Sequence, residues 1–87
     1  MLHSRMPQLY PELIPVRCTW QPGSFDTVKV QAGQHRVSLK LYTMHRMFGP
    51  QAINDLFLSG LFCTSLGEQT VQALLGEAGP PGSAEEN

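Results

Sequence analysis

The stretch VKVQAGQHRVSLKLY, residues 28–42, decides the fold. Apolar side chains occupy every second position on both sides of its AGQH loop, namely Val28, Val30 and Ala32, then Val37, Leu39 and Leu41. Such alternation is typical of a half-buried strand. Gly33 in the loop is free to adopt a positive φ angle. The stretch therefore predicts an antiparallel hairpin with one apolar and one polar face.

A third strand precedes this hairpin. The segment IPVRCTW, residues 14–20, alternates in the same way, and QPGS after it supplies a turn. Pro15 has no backbone N–H to donate, so the strand lies at a sheet edge or Pro15 is among its first residues. We predict a three-stranded antiparallel meander over 14–20, 27–32 and 36–43.

The apolar face of this meander needs a cover, and two helical patterns follow it. Pro50 suits the first turn of a helix. An apolar stripe at helical spacing comes next, formed by Ile53, Leu56, Phe57, Gly60 and Leu61. Ser65 and Glu68 then have the spacing of a capping box. We predict helices over 50–62 and 66–76, which makes a two-layer α+β domain.

The chain has 87 residues, enough for one small domain that buries only about 60–65% of its unfolded surface. Its stability margin is therefore thin, and an oligomer or a bound partner is expected. Residues 1–13 form a proline-punctuated arm, 14–77 the folded domain, and 78–87 a polar, acidic tail predicted to be disordered.

The compartment is inferred from what the sequence lacks. The first residues contain no apolar run of signal-peptide length, and no stretch of 18 apolar residues occurs anywhere. The two cysteines, Cys18 and Cys63, have no CxxC spacing and are expected to be free thiols. We therefore expect a cytoplasmic protein.

The net charge of −1 conceals a division along the chain. Residues 1–50 hold all six basic side chains and two acidic ones, whereas residues 51–87 hold five acidic side chains and no basic one. Charge asymmetry of this kind indicates a molecule with electrically distinct regions, which bears on the kind of partner it binds.

Four of the basic residues are predicted to share the polar face of the meander, together with Tyr42: Arg17, Lys29, Arg36 and Lys40. Three interpretations remain open. The face is simply solvated, or it docks on an acidic protein surface, or it holds a nucleic-acid backbone while Tyr42 stacks on a base. The pI of about 6.2 counts against a dedicated nucleic-acid-binding protein.

The first predicted helix carries a second candidate surface. Leu58 and Phe62 form an i, i+4 pair away from the apolar stripe. If this side of the helix faces water, the pair is a patch for self-association or for a partner. The alternative is that the arm or the second helix covers it.

No motif for catalysis or for a cofactor is present: the chain has no GxGxxG, no P-loop and no paired carboxylates in a plausible cleft. The histidines lack the spacing of a zinc site. We therefore expect no enzyme, cofactor, metal, membrane or small-molecule substrate. The sequence predicts a regulatory or accessory protein that binds an acidic protein or forms a homodimer; nucleic-acid binding is the alternative.

Overall fold

A computed structural model describes residues 12–78. The elements follow one another in the order β1 (Ile14–Trp20), β2 (Thr27–Ala32), β3 (His35–Lys40), α1 (Leu41–Phe48), α2 (Pro50–Ser59), β4 (Leu61–Leu66) and α3 (Glu68–Ala78). The arm predicted over 1–13 and the tail predicted over 78–87 lie outside the described residues, apart from Glu12, Leu13 and Ala78.

The four strands form one antiparallel sheet in the order β3-β2-β1-β4. The prediction of an α+β fold with an antiparallel sheet is confirmed, but residues 12–78 form four strands and not three, and three helices and not two. The added strand β4 pairs with β1, with Cys18 opposite Phe62. Consequently β1 is a central strand, and Pro15 is tolerated because it is only the second residue of that strand.

The core lies between the sheet and the three helices. Its strand residues alternate along β1, β2 and β3, as the period of 2 requires, and include Val16, Cys18, Val28, Val30, Ala32, Val37 and Leu39. The helices contribute Met44 from α1, Leu56 from α2, and Val71 and Leu74 from α3. All three helices therefore cover one face and leave the opposite face of the sheet open.

The third strand is shorter than the predicted 36–43, because the chain leaves the sheet after Lys40 and enters α1. The backbone N–H of Leu41 donates a hydrogen bond of 2.7 Å to the carbonyl of Asp26 at this point. From here the core positions take helical spacing: Met44 is fully buried, and Leu41 and Phe48 are partly buried and pack against the core.

The first predicted helix, 50–62, is also too long, because α2 ends at Ser59. Gly60 adopts the left-handed conformation, with φ 75° and ψ 11°, and its N–H donates to the Leu56 carbonyl at 2.9 Å. This is a glycine C-cap, which stops a helix and redirects the chain. The redirected chain forms β4, and α3 begins at Glu68 instead of the predicted residue 66.

Candidate binding face of the sheet

The side of the sheet away from the helices is called the outer face here. Directly paired residues of an antiparallel sheet project to the same side. The outer face therefore consists of Pro15, Arg17 and Thr19 of β1, Thr27, Lys29 and Gln31 of β2, Arg36, Ser38 and Lys40 of β3, and Leu61, Cys63 and Ser65 of β4. The four predicted basic residues all lie on it.

Three of these cations surround a shallow concavity of about 530 Å³ in the outer face. Gln31 lies between Arg17 and Arg36 in one cross-strand row, since it pairs with both. Lys29 lies in the next row, between Thr19 and Ser38. The uncharged polar residues separate the cations and reduce their mutual repulsion.

Arg17, Lys29 and Arg36 form no salt bridge and no side-chain hydrogen bond with another residue of 12–78. The two salt bridges within that range join Lys40 to Asp26 and Arg46 to Glu77. All three residues are exposed, and within 12–78 nothing occupies their two guanidinium groups and one ammonium group, which are donors suited to an anion.

Lys40 differs from the other three cations. Its Nζ lies 3.9 Å from Oδ2 of Asp26 and donates to Oγ1 of Thr27 at 3.5 Å. The pKa of Asp26 lies below its ordinary value, first because the Ser24 hydroxyl donates a hydrogen bond to it, then because of Thr27 and the charge of Lys40. An acid thus stands directly before the first residue of β2, and Lys40 is partly neutralised by it.

Tyr42 does not lie on the outer face, so that part of the prediction is wrong. It belongs to α1 and is 74% exposed, beside His45 and Ile53 on the helical side of the molecule. The predicted strand ran too far, and the extension placed Tyr42 on the wrong element. The described outer face consequently carries no aromatic ring on which a base could stack.

Leu58 and Phe62 do not form a patch on one helix, because Gly60 separates α2 from β4. Leu58 is 78% exposed on α2. Phe62 points to the core side of β4 and packs edge-on against Phe48, with ring centroids 5.5 Å apart. Of the predicted pair, Leu58 is exposed, whereas Phe62 is partly buried against the core.

Two exposed aromatics were missed by the sequence reasoning. Phe25, in the loop between β1 and β2, is 91% exposed. Phe57 was predicted to belong to the core stripe, yet it is 64% exposed. Its ring and that of Trp20 form an edge-to-face pair with centroids 5.1 Å apart. A phenylalanine inside the turn-rich segment QPGSFD is the signal that could have identified Phe25.

The two thiols occupy opposite faces of the sheet. Cys18 is fully buried, and its burial, followed by the nearby Cys63, raises its pKa to about 12. Cys63 is exposed on the outer face, directly across from Arg17. The prediction that both are free thiols is confirmed.

Residues 12–78 contain no group of three or more His, Cys, Asp or Glu side chains able to hold a metal ion. No helix in this range has the length and apolar character needed to cross a membrane. Comparison of the chain with protein-family models, with curated proteins and with solved structures finds no significant match.

Proposed function

We propose that this chain is a small cytoplasmic accessory protein that acts by binding and not by catalysis, and that its outer face docks on an acidic surface of a protein partner. The observation that carries the proposal is the set of cations around the concavity, Arg17, Lys29 and Arg36, which have no partner among the described residues. Cations arranged in this way steer and orient an acidic partner.

A protein partner is favoured over nucleic acid by the chemistry of the same face. Sequence-independent binding of single strands usually combines cations with aromatic side chains on which bases stack. Tyr42 was the aromatic expected for this purpose, and it lies on α1 instead. Several other outer-face side chains, such as Gln31 and Ser38, are hydrogen-bonding groups suited to a polar protein rim.

The test measures binding of two fluorescent probes of equal length, a glutamate decapeptide and a thymidine decanucleotide, at low and high salt. The variant Lys29→Gln/Arg36→Gln removes two positive charges from the concavity. Its matched control, Gln34→Glu/Gln69→Glu, changes the net charge by the same amount at exposed positions off the outer face. We expect the decapeptide to bind the wild type and the control, and to bind the first variant at least about tenfold more weakly.

The remaining results would overturn the proposal. If the decanucleotide bound more tightly than the decapeptide, and its log affinity fell by about 2 per decade of salt, the slope would correspond to three phosphate contacts. The chain would then be a nucleic-acid-binding protein. Equal losses in both variants would show that only net charge matters. No binding of either probe at low salt would mean that the outer face is merely solvated.

A further inference from the structure

The edge of β4 that faces away from β1 is a second candidate binding surface. Within residues 12–78 the sheet ends at β3 on one side and at β4 on the other. β4 has six residues, LFCTSL, and none of them is charged. We propose that two copies of this chain pair through their β4 strands, antiparallel, to form one continuous eight-stranded sheet. This inference is independent of the function proposed for the outer face.

The hydrogen bonds at the two ends of β1 show which backbone groups of that strand point to β2. Gly33 N–H donates to the Pro15 carbonyl at 3.1 Å, and Gln21 N–H donates to the Thr27 carbonyl at 2.9 Å. In an antiparallel strand, N–H and C=O of one residue point to the same side, and the side alternates along the strand. The odd-numbered residues of β1 thus bond to β2, and the even-numbered residues bond to β4.

The register then determines which groups of β4 are left over. Phe62, Thr64 and Leu66 are opposite the even-numbered residues of β1 and bond to that strand. The backbone N–H and C=O groups that point away from the sheet belong to Leu61, Cys63 and Ser65. Of these groups, the Leu61 carbonyl accepts a hydrogen bond of 3.3 Å from the Ser59 hydroxyl, and a carbonyl has a second lone pair.

This edge is complementary to itself. A two-fold axis beside Cys63 sets Cys63 opposite Cys63 of the partner subunit and Leu61 opposite Ser65 of the partner subunit, with N–H and C=O groups exchanged at each pair. Each copy has one such edge, so the pairing closes at two chains and does not propagate.

Charge favours a second copy at this edge. Because β4 is uncharged, its antiparallel copy brings no like charges into opposition. The β3 edge offers the contrast: the same arrangement about Ser38 would set Arg36 opposite Lys40 of the partner subunit, which is destabilising. The Arg17 residues of two copies joined through β4 would be about 14 Å apart, three strand spacings, beyond the screening length of about 8 Å.

Two prolines make part of the chain's own N-terminal segment a poorer occupant of this edge. Residues 1–11 contain Pro7 and Pro11. Neither proline has a backbone N–H to donate to an outward carbonyl of β4. A second β4 strand supplies a donor at each of its three outward positions, so it satisfies the edge more completely than an N-terminal stretch that sets Pro7 or Pro11 at a pairing position.

Amide hydrogen exchange of the full-length protein tests the pairing residue by residue, together with its mass in solution. In the dimer all six β4 amides are protected, whereas in a monomer with a free edge the amides of Leu61, Cys63 and Ser65 exchange quickly and the other three do not. We expect a particle of twice the 9.6 kDa chain mass with all six amides protected.

A charge variant with a matched control tests the two-fold axis. Cys63→Lys sets two ammonium groups directly opposite one another, on the exposed outer side of the strand. Gln34→Lys adds the same charge in the exposed turn between β2 and β3. We expect Cys63→Lys to be a folded monomer that loses the protection at 61 and 65, and Gln34→Lys to remain a dimer.

A short bis-maleimide gives a third readout, because the chain has two cysteines and Cys18 is buried. The wild type should be cross-linked through Cys63, whereas a Cys63→Ser/Gln34→Cys variant, whose thiol is also at an exposed position but in the turn between β2 and β3, should not. A monomer with all three outward amides protected would assign the edge to another segment of the same chain and overturn the proposal. A monomer without that protection, or a dimer in which those amides exchange quickly, would overturn it as well.

Discussion

The indole Nε1 of Trp20 donates a hydrogen bond of 2.9 Å to the backbone carbonyl of Leu56. The same carbonyl accepts the N–H of Gly60, which ends α2. One atom therefore joins the end of β1 to the end of the helix that covers it. Both the Trp20 indole and Gly60 should therefore contribute to the free energy of unfolding.

Replacement of Trp20 by phenylalanine removes the indole donor and keeps an aromatic ring beside Phe57. Because the Leu56 carbonyl remains bonded to Gly60, no buried acceptor is left empty, so the expected loss in the free energy of unfolding is about 1 kcal/mol. Trp20→Leu also loses the aromatic contact, and its cost should be about 1 kcal/mol larger. Urea denaturation measures both; equal stability of Trp20→Phe and wild type would contradict the role given to the bond.

Gly60 is the residue at which the chain changes from α2 to β4, and its φ of 75° disfavours a side chain. A Cβ there would meet no atom within 4 Å, so the cost of Gly60→Ala is backbone strain alone, about 1–2 kcal/mol. Gly60→Asn should cost less, since asparagine tolerates this conformation.

Gly76 is the matched control for Gly60. It lies inside α3, and a Cβ at this position also has open space around it. Its φ is not positive, so Gly76→Ala should raise the free energy of unfolding by about 0.5–1 kcal/mol. Chemical denaturation of the two alanine variants should therefore give changes of opposite sign. If both changed stability in the same direction, the conformational argument for Gly60 would be wrong.

Burial of the Cys18 thiol should make the fold less stable at alkaline pH. Its thiol has a pKa of about 12 in the folded state against an ordinary value of 9.0, so above pH 9.0 the unfolded chain releases a proton that the folded chain retains. Stability should therefore fall by about 1.4 kcal/mol per pH unit between 9.0 and about 12 from this group alone.

The measurement is the difference in the free energy of unfolding between wild type and Cys18→Ala, since other groups titrate over the same pH range. This difference should shrink as the pH rises above 9.0, because the alanine variant lacks the titrating thiol. Cys63→Ala, which removes the exposed thiol, should retain most of the alkaline slope. A wild-type slope identical to that of Cys18→Ala would show that Cys18 does not remain protonated in the fold.

The ion pair between Arg46 and Glu77, 2.9 Å apart, joins α1 to α3 at the surface. The hydrogen bond and the charge of Arg46 lower the pKa of Glu77 below its ordinary 4.5. The stabilisation is thus present above pH 4.5 and is lost as the pH falls through the lower folded-state pKa.

Replacing Glu77 by glutamine should lower the melting temperature only slightly at pH 7, because both side chains are exposed and the pair is screened by water. The melting temperatures of wild type and variant should converge in acid and at high salt. Glu12→Gln, which removes the same charge at an exposed residue that has no ion pair within residues 12–78, serves as the control. A difference that persisted at pH 2 would mean that Glu77 acts by something other than its charge.

Three of the four strands could be predicted because their two faces differ sharply in polarity. In β2, for example, Val28 and Val30 are buried while Lys29 between them is exposed. The same alternation places Arg17, Lys29 and Arg36 on one face, which the register shows to be the outer face.

The fourth strand lacks such contrast. Thr64 faces the core between Phe62 and Leu66, while Leu61 and Cys63 face outward, so each face mixes apolar and polar residues. The position of Leu61 also continues the helical stripe that begins at residue 53, and only the conformation of Gly60 decides between helix and strand. Tyr42 was misplaced for a related reason, since the alternation of β3 runs on into α1.

The position of β1 in the sheet has a consequence for the order of folding. Partners in β2 and β3 are at most 13 residues apart, whereas partners in β1 and β4 are 42 to 52 residues apart. Closing the longer loop costs more chain entropy, so the meander of β1, β2 and β3 should form first. A chain emerging from the ribosome therefore exposes one side of β1 until Leu66 is available, and during that interval it is most open to pairing with the wrong strand.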